Sequence, residues 1–279
     1  CVPRLVLAVN KIDLVDYDQS TFALIAKEFA AHATALGFAE ADVLSVPVSA
    51  LVGDNVVERS AHTPWYSGPT LLEHLETVPV EPDPHHVPFR FPVQYVIRPR
   101  TPEYPDYRGY AGQVAAGSVR PGDEIVVLPS GGRSLVERID TPDGPLDEAT
   151  AGQSVTLILS HDLDVSRGDL ISTAESLPTV ADEFEATLCW LADKELRPNA
   201  RVLVKHGTKT TQAFVSELIS RFDEQKLSSV ELPESLRLNE IGQVRVRTAE
   251  PLPIDDYTAS RRTGAFLVID AADGTTLAA

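Results

Sequence analysis

The hydrophobic period of this chain changes once, across Pro79-Val80-Glu81-Pro82-Asp83-Pro84. Proline supplies no backbone N–H and fixes φ, so such a stretch suits neither a helix interior nor a central strand and reads as a stiff linker. Before it the pattern is strand, helix, strand. Arg4 to Val9 is a continuous apolar run, as expected of a parallel strand covered on both faces. Asp18 and Ser20 offer N-caps to a helix in which Phe22, Ile25, Phe29 and Leu36 recur at helical spacing, and Gly37 stops it. Val43 to Val48 is the second strand, which makes the unit a right-handed parallel crossover. A further helix is expected from about Thr70 to Thr77.

After the linker the period is two. Short alternating runs such as Phe91 to Ile97, Glu124 to Leu128 and Ser154 to Leu159 are separated by Pro-Gly-Asp, Ser-Gly-Gly and Pro-Asp-Gly turns. A second β-rich block begins near Pro178, with strands expected near 185–191, 201–205, 212–219, 243–247 and 264–269. The fold class expected is α/β plus all-β: an α/β piece over 1–82, then antiparallel β-barrels over 83–176 and 177–279.

Composition narrows the setting. The 24 basic and 41 acidic residues give a formal charge of −17, which disfavours non-specific nucleic-acid binding. No apolar run approaches the ~20 residues of a membrane span. Two cysteines, Cys1 and Cys189, form no disulfide framework, and a reducing cytoplasm is the expected location. Methionine is absent and a buried strand begins by residue 4, so the natural start is expected upstream.

The end of the first strand carries the most chemistry. Asn10-Lys11-Ile12-Asp13 lies just past its carboxyl end, where open α/β sheets bind ligands. Guanine presents its N1–H and N2 amine side by side, and the Asp13 carboxylate can accept both. Adenine offers no such pair and would leave the carboxylate unsatisfied. Asn10 can bond the other edge of the base and tie neighbouring loops, and the Lys11 stem can lie along the ring. Alone, the tetrapeptide also reads as a solvated turn. The next strand, however, ends in Ser49-Ala50-Leu51, where a small residue lets a backbone N–H reach the guanine carbonyl and Ser49 can brace Asp13.

Together these two motifs resemble the base-recognition pair of translation-factor-type GTPases, in which a P-loop GTPase domain precedes two β-barrels. Gly53-Asp54-Asn55-Val56-Val57, Pro64-Trp65-Tyr66-Ser67-Gly68-Pro69-Thr70-Leu71-Leu72-Glu73, Pro92 to Pro99, Tyr107-Arg108-Gly109-Tyr110-Ala111-Gly112, Asp164 to Asp169 and Arg262 to Asp270 resemble one branch, the large GTP-binding subunit of bacterial sulfate adenylyltransferase. The resemblance implies that GTP hydrolysis on this subunit drives formation of adenylylsulfate and pyrophosphate from ATP and sulfate. A separate small subunit transfers the adenylyl group. Some relatives continue into an adenylylsulfate kinase.

No Gly-x-x-x-x-Gly-Lys-Ser/Thr loop occurs in the sequence. The resemblance therefore implies that the ligands of the phosphates and of Mg²⁺ precede residue 1, and that residues 1–279 alone are inactive. The rival reading is a translation factor that binds tRNA, against which the acidic balance counts; a third is a binding scaffold without catalysis.

The remaining polar clusters read as structure. His85-His86 has no third ligand at metal spacing. Asp162, Asp164 and Asp169 suit a barrel turn better than a calcium loop, whose Gly and terminal Glu are misplaced. Lys205, Lys209, Arg261 and Arg262 read as scattered strand-face charges, while Trp65-Tyr66 reads equally as domain packing or as partner contact.

Overall fold

Two short apolar runs pair in parallel: β1 (Leu5–Val9) and β2 (Val43–Pro47), in register from Leu5 opposite Val43 to Val9 opposite Pro47. The crossover between them is helix α1 (Gln19–Ala35). Its N-cap is Asp18, whose Oδ2 accepts from the Thr21 amide at 2.8 Å and from the Ser20 and Thr21 hydroxyls. Those donors, Ser20 foremost, hold the Asp18 carboxyl at about 2. Gly37 follows the helix at φ 92°, the left-handed conformation that ends helices at little steric cost.

The expectation of a strand covered on both faces does not hold here. Only Val9 of β1 is buried, and on α1 only Ala33 is, while Phe22 and Phe29 are half-buried and Ile25 is exposed. The reason is geometric. A 17-residue helix runs about 26 Å, whereas two paired strands are about 5 Å apart and cover only part of its face. A second helix, α2 (Leu71–Thr77), starts at a reciprocal cap: the Glu73 amide donates to Thr70 Oγ1 at 3.2 Å and the Thr70 amide to Glu73 Oε2 at 2.8 Å.

This computed structural model describes residues 4–78, 87–99, 101–102, 106–223 and 228–279. The proline-rich stretch and His85-His86 lie outside the described residues. The chain divides into two compact units, Cys1–Pro82 and Asp83–Ala279. No helix among the described residues is long and apolar enough to cross a membrane.

The second unit holds two seven-stranded antiparallel sheets with separate cores, besides the short pair Ser118–Val119 and Ala149–Thr150. The first sheet closes on itself, because Ser154–Leu159 pairs with Gly109–Gln113 on one side and with Gly132–Thr141 on the other. Phe91, Tyr110, Ile125, Ile139, Leu157 and Ile171 fill its interior. Gly112 is required there, since a Cβ would lie 2.5 Å from the Pro92 carbonyl oxygen and 3.0 Å from the Phe91 ring.

The second sheet is built on longer strands than the hydrophobic runs suggested: Thr179–Cys189, Lys209–Asp223 and Ile241–Ile254. Its rim strands meet where the Cys189 amide donates to the Ala279 carbonyl at 2.9 Å and the Ala279 amide donates back at 3.3 Å. Leu188, Val204, Val215, Val244 and Val268 form its core. Charge pairs cross the strands on the outer face. Arg245 bonds Glu185 at 2.7 Å and Glu217 at 2.5 Å, and Arg247 bonds Glu183.

One buried ion pair joins the two barrels. Arg90, 3% exposed, opens the strand Arg90–Ile97 of the first barrel. Its Nε and Nη2 donate to Asp255 Oδ2 and Oδ1, each at 2.8 Å, and its Nη1 donates to Ser172 Oγ and to the Ser176 and Phe89 carbonyls. Thr263 Oγ1 donates to Asp255 Oδ2 at 2.6 Å. Burial alone would raise the Asp255 carboxyl, but the Arg90 and Thr263 hydrogen bonds outweigh it and hold the group below its ordinary value. Truncating one partner of such a pair strands the other in a dry site. Arg90→Ala is therefore expected to lower unfolding free energy by about 3–5 kcal/mol. Urea denaturation of the wild type and variant checks this, and a loss below about 1 kcal/mol would contradict it.

Candidate base-recognition site

The loop after β1 is held in an unusual conformation. Lys11 sits at φ 64°, Ile12–Val15 forms a single 3₁₀ turn, and Asp16 and Tyr17 follow at φ 52° and 56°. Three left-handed non-glycine residues thus bracket Asp13. Each such residue costs on the order of 1 kcal/mol and persists only where the surroundings over-determine it. Ile12 supplies one anchor: its side chain is 1% exposed, and its amide donates to the Val48 carbonyl at 3.3 Å.

Asn10 supplies the next anchor. Its Oδ1 accepts from the Lys11 amide at 2.7 Å and from the Ala50 amide at 3.0 Å. A single side-chain oxygen thereby ties the loop after β1 to the loop after β2. Asp13, Ala50 and Leu51 are brought to the carboxyl ends of two adjacent parallel strands, the position where such sheets take ligands.

Within this frame Asp13 Oδ1 is buried and has no hydrogen-bond partner among the described residues. A buried unpaired carboxylate oxygen is costly, and two adjacent N–H donors from a ligand would satisfy it. Guanine N1 and N2 are such donors, so Asp13 fits that base. Lys11 is exposed beside it, its stem free to lie along a ring.

One sequence expectation differs in detail and another gains a residue. Ser49 is 0% exposed, but its Oγ makes no hydrogen bond to Asp13 and is itself unpartnered among the described residues. Of the backbone N–H groups expected to serve the guanine carbonyl, that of Ala50 is engaged by Asn10; the Leu51 amide carries no bond among the described residues, and the Leu51 side chain is 87% exposed. The donor open to a base carbonyl is thus one residue further along.

Sequence reasoning did not identify Tyr17 as part of this assembly. Its hydroxyl donates to Asp54 Oδ2 at 2.8 Å, its carbonyl accepts from Trp65 Nε1 at 3.1 Å, and its ring stacks on His62 at 4.7 Å between centroids. The Asp54 hydrogen bond is the chief reason the Tyr17 phenol lies above its ordinary value. Asp54 lies below its own, chiefly through the Ser60 hydroxyl and, against some burial, through Tyr17 and His62. Trp65 packs on Phe22 and Tyr66 inside this same unit, so the indole supports the base loops. No periodic signal marks Tyr17, whose role depends on long-range contacts to Asp54, His62 and Trp65.

Members of the other polar clusters bond within the second unit. Asp169 Oδ2 accepts from the Ser166 amide at 2.8 Å in a barrel turn, and Asp162 pairs with Arg108 at 3.4 Å. Lys209 pairs with Glu250, and Arg262 donates to Gln113. Among the described residues no three His, Cys, Asp or Glu side chains gather as a metal set.

Residues 183–279 match the family model described as GTP-eEF1A C-terminal domain-like. Over 279 residues the chain is 47% identical to the bifunctional enzyme CysN/CysC of Mycobacterium tuberculosis, covering 100% of this chain and 45% of that protein. It is 42% identical to sulfate adenylyltransferase subunit 1 of Colwellia psychrerythraea and 44% identical to that of Salmonella typhi, covering 100% of this chain in both cases and 58% and 57% of the relatives. The chain spans about half the length of the curated relatives it matches. The crystal structure of sup35 complexed with GMPPNP superposes with a TM-score of 0.63 at 22% identity, over 99% of this chain and 68% of that one, a likeness of fold alone.

The Asn10 tie makes a local prediction. Asn10→Ala is expected to speed amide hydrogen exchange at Ala50 by about fivefold, since one hydrogen bond contributes about 1 kcal/mol to local opening. Exchange measured by NMR would contradict the tie if the Ala50 rate were unchanged.

Proposed function

The chain belongs to the sulfate adenylyltransferase subunit 1 family of translation-factor-type GTPases, and from that premise we propose that Asn10, Lys11, Asp13, Ser49, Ala50 and Leu51 form its guanine-recognition site. One observation carries the reading: Asn10 Oδ1 pins the Ala50 loop at 3.0 Å while Asp13 Oδ1 is left buried and unpaired. Asp13 accepts guanine N1–H and N2–H. Leu51 N–H meets the O6 carbonyl, and the Lys11 stem covers one ring face. Ser49 is a small buried residue that lets the loop approach.

The activity proposed for the whole protein is that of the GTP-driven subunit of sulfate adenylyltransferase, an enzyme of sulfate assimilation. Hydrolysis of bound GTP supplies free energy for joining the adenylyl group of ATP to sulfate, an uphill step that releases pyrophosphate. Adenylyl transfer itself belongs to a separate small subunit. Mg²⁺ would accompany GTP, and no residue of this chain is assigned to the metal or the phosphates. The tRNA-binding alternative has in its favour the elongation-factor-like match of residues 183–279, while the names of relatives at 42–47% identity over the full chain favour sulfate activation.

A test uses the intact protein with its small subunit. Asp13→Asn replaces one acceptor oxygen by a donor, which clashes with the guanine N2 amine but matches the C2 carbonyl of xanthine. Hydrogen bonds to a charged group contribute about 1.5–3 kcal/mol each. GDP affinity is therefore expected to fall by roughly 100-fold or more, with xanthosine diphosphate gained in its place. In an assay of pyrophosphate release from ATP and sulfate, xanthosine triphosphate should then replace GTP as the stimulant. Unchanged preference for GDP in a folded variant would remove Asp13 from the site.

A further inference from the structure

Asp13 lies in the chain between Asn10 and Tyr17, and Ala50 and Leu51 lie between Ser49 and Asp54. The Asn10–Ala50 bond ties the first ends of these two loops. The Tyr17–Asp54 bond, 2.8 Å long, ties their second ends. Together the two side-chain bonds and the two loops make a closed ring. Asp54 also closes its own loop, its carbonyl accepting from the Ser49 amide at 3.2 Å while the Gly53 amide donates to the Ser49 carbonyl at 2.8 Å.

We propose that Tyr17 and Asp54 are positioning residues for the base site, acting through the Asp13 turn and the Ala50–Leu51 loop and touching no part of the nucleotide. The inference rests on the base-recognition reading above and deepens it. Two further facts support it. Asp16 and Tyr17 both hold left-handed backbone, a strain that needs fixing from outside, and Tyr17 is fixed at three points: hydroxyl, carbonyl and ring face. The phenol is raised and the Asp54 carboxyl lowered, so donor and charged acceptor both persist through neutral pH. Without the tie, the 3₁₀ turn can relax toward right-handed backbone and carry Asp13 away from the Leu51 amide. Misplacement on the scale of 1 Å is enough to cost much of a bidentate hydrogen bond.

The test compares Tyr17→Phe, Asp54→Ala, their double variant and Asp54→Asn in the intact protein, with GDP, inosine diphosphate and ADP as probes. Tyr17→Phe keeps the ring on His62 and removes only the donor. Expected is a loss of GDP affinity of about tenfold in each of the first two variants, seen as faster dissociation, together with a smaller ratio of GDP to inosine diphosphate affinity. The double variant should be no worse than the weaker single one, and Asp54→Asn, which still offers an amide oxygen to Tyr17, should recover most of the loss. A merely structural role would lower the melting temperature without moving the GDP to inosine diphosphate ratio. The proposal is overturned if Tyr17→Phe binds both nucleotides within twofold of the wild type, or if the two single effects simply add. Should Asp54→Ala fail to fold, the Tyr17→Phe and Asp54→Asn pair decides alone. A wild-type protein with no preference for GDP over ADP would overturn the base reading and this inference with it; an unchanged ratio of GDP to inosine diphosphate affinity in Tyr17→Phe would overturn this inference only.

Discussion

The amide oxygen of Asn10 is the point on which the site depends. It accepts from Lys11 and from Ala50, so one atom both shapes its own loop and fastens it to the neighbouring one. Parallel pairing of β1 with β2 brings the two strand ends side by side, but pairing alone leaves the loops beyond them undirected. The Asn10 bond converts adjacency into a shared surface, in which the unpaired Asp13 oxygen and the unspent Leu51 amide become useful. The unpaired oxygen is a stability cost to the protein without a ligand, and satisfying it is what makes a base with two adjacent donors favourable.

Barrel architecture answers a different demand. Both large sheets in the second unit meet their own ends, the first by pairing of Ser154–Leu159 on both sides and the second at Cys189 and Ala279. Closure leaves few free edges for another chain to pair with. Between the barrels, the Arg90–Asp255 pair is a directional link, since both charges are nearly dry and Nε and Nη2 of Arg90 each meet one oxygen of Asp255 while Nη1 is held within the first barrel. Such a pair fixes orientation more than it adds net stability.

Much of this was legible in the sequence because it follows from period and punctuation. The strands Glu124–Leu128 and Ser154–Leu159 coincide with their alternating runs, and α1 begins and ends at the capping residues that chemistry favours. Asn10, Asp13 and Ala50 stood out because amide, carboxylate and small residue occur at the ends of two apolar runs. Less accessible were features that depend on long-range pairing. Lys209–Asp223 and Ile241–Ile254 outrun their apolar cores because their far ends find backbone partners, Ser220–Asp223 opposite Ser228–Glu231 and Leu252–Ile254 opposite Thr179–Ala181, which hydropathy does not register. Arg90 was hidden for the same reason, its acceptor lying 165 residues away. Tyr17 depends on a bond spanning 37 residues and on a stacked histidine. The engagement of the Ala50 amide by Asn10, which shifts the free donor to Leu51, is visible only once both loops are placed.

The central claim is a geometric one, that a single carboxylate reads two adjacent donors of a purine. The most direct measurement is a crystal structure of the intact protein bound to GDP. The account predicts both oxygens of Asp13 within about 2.7–3.0 Å of guanine N1 and N2, with Asn10 still holding Ala50. A base seated elsewhere, or an Asp13 side chain turned to solvent while the nucleotide is bound, would contradict it.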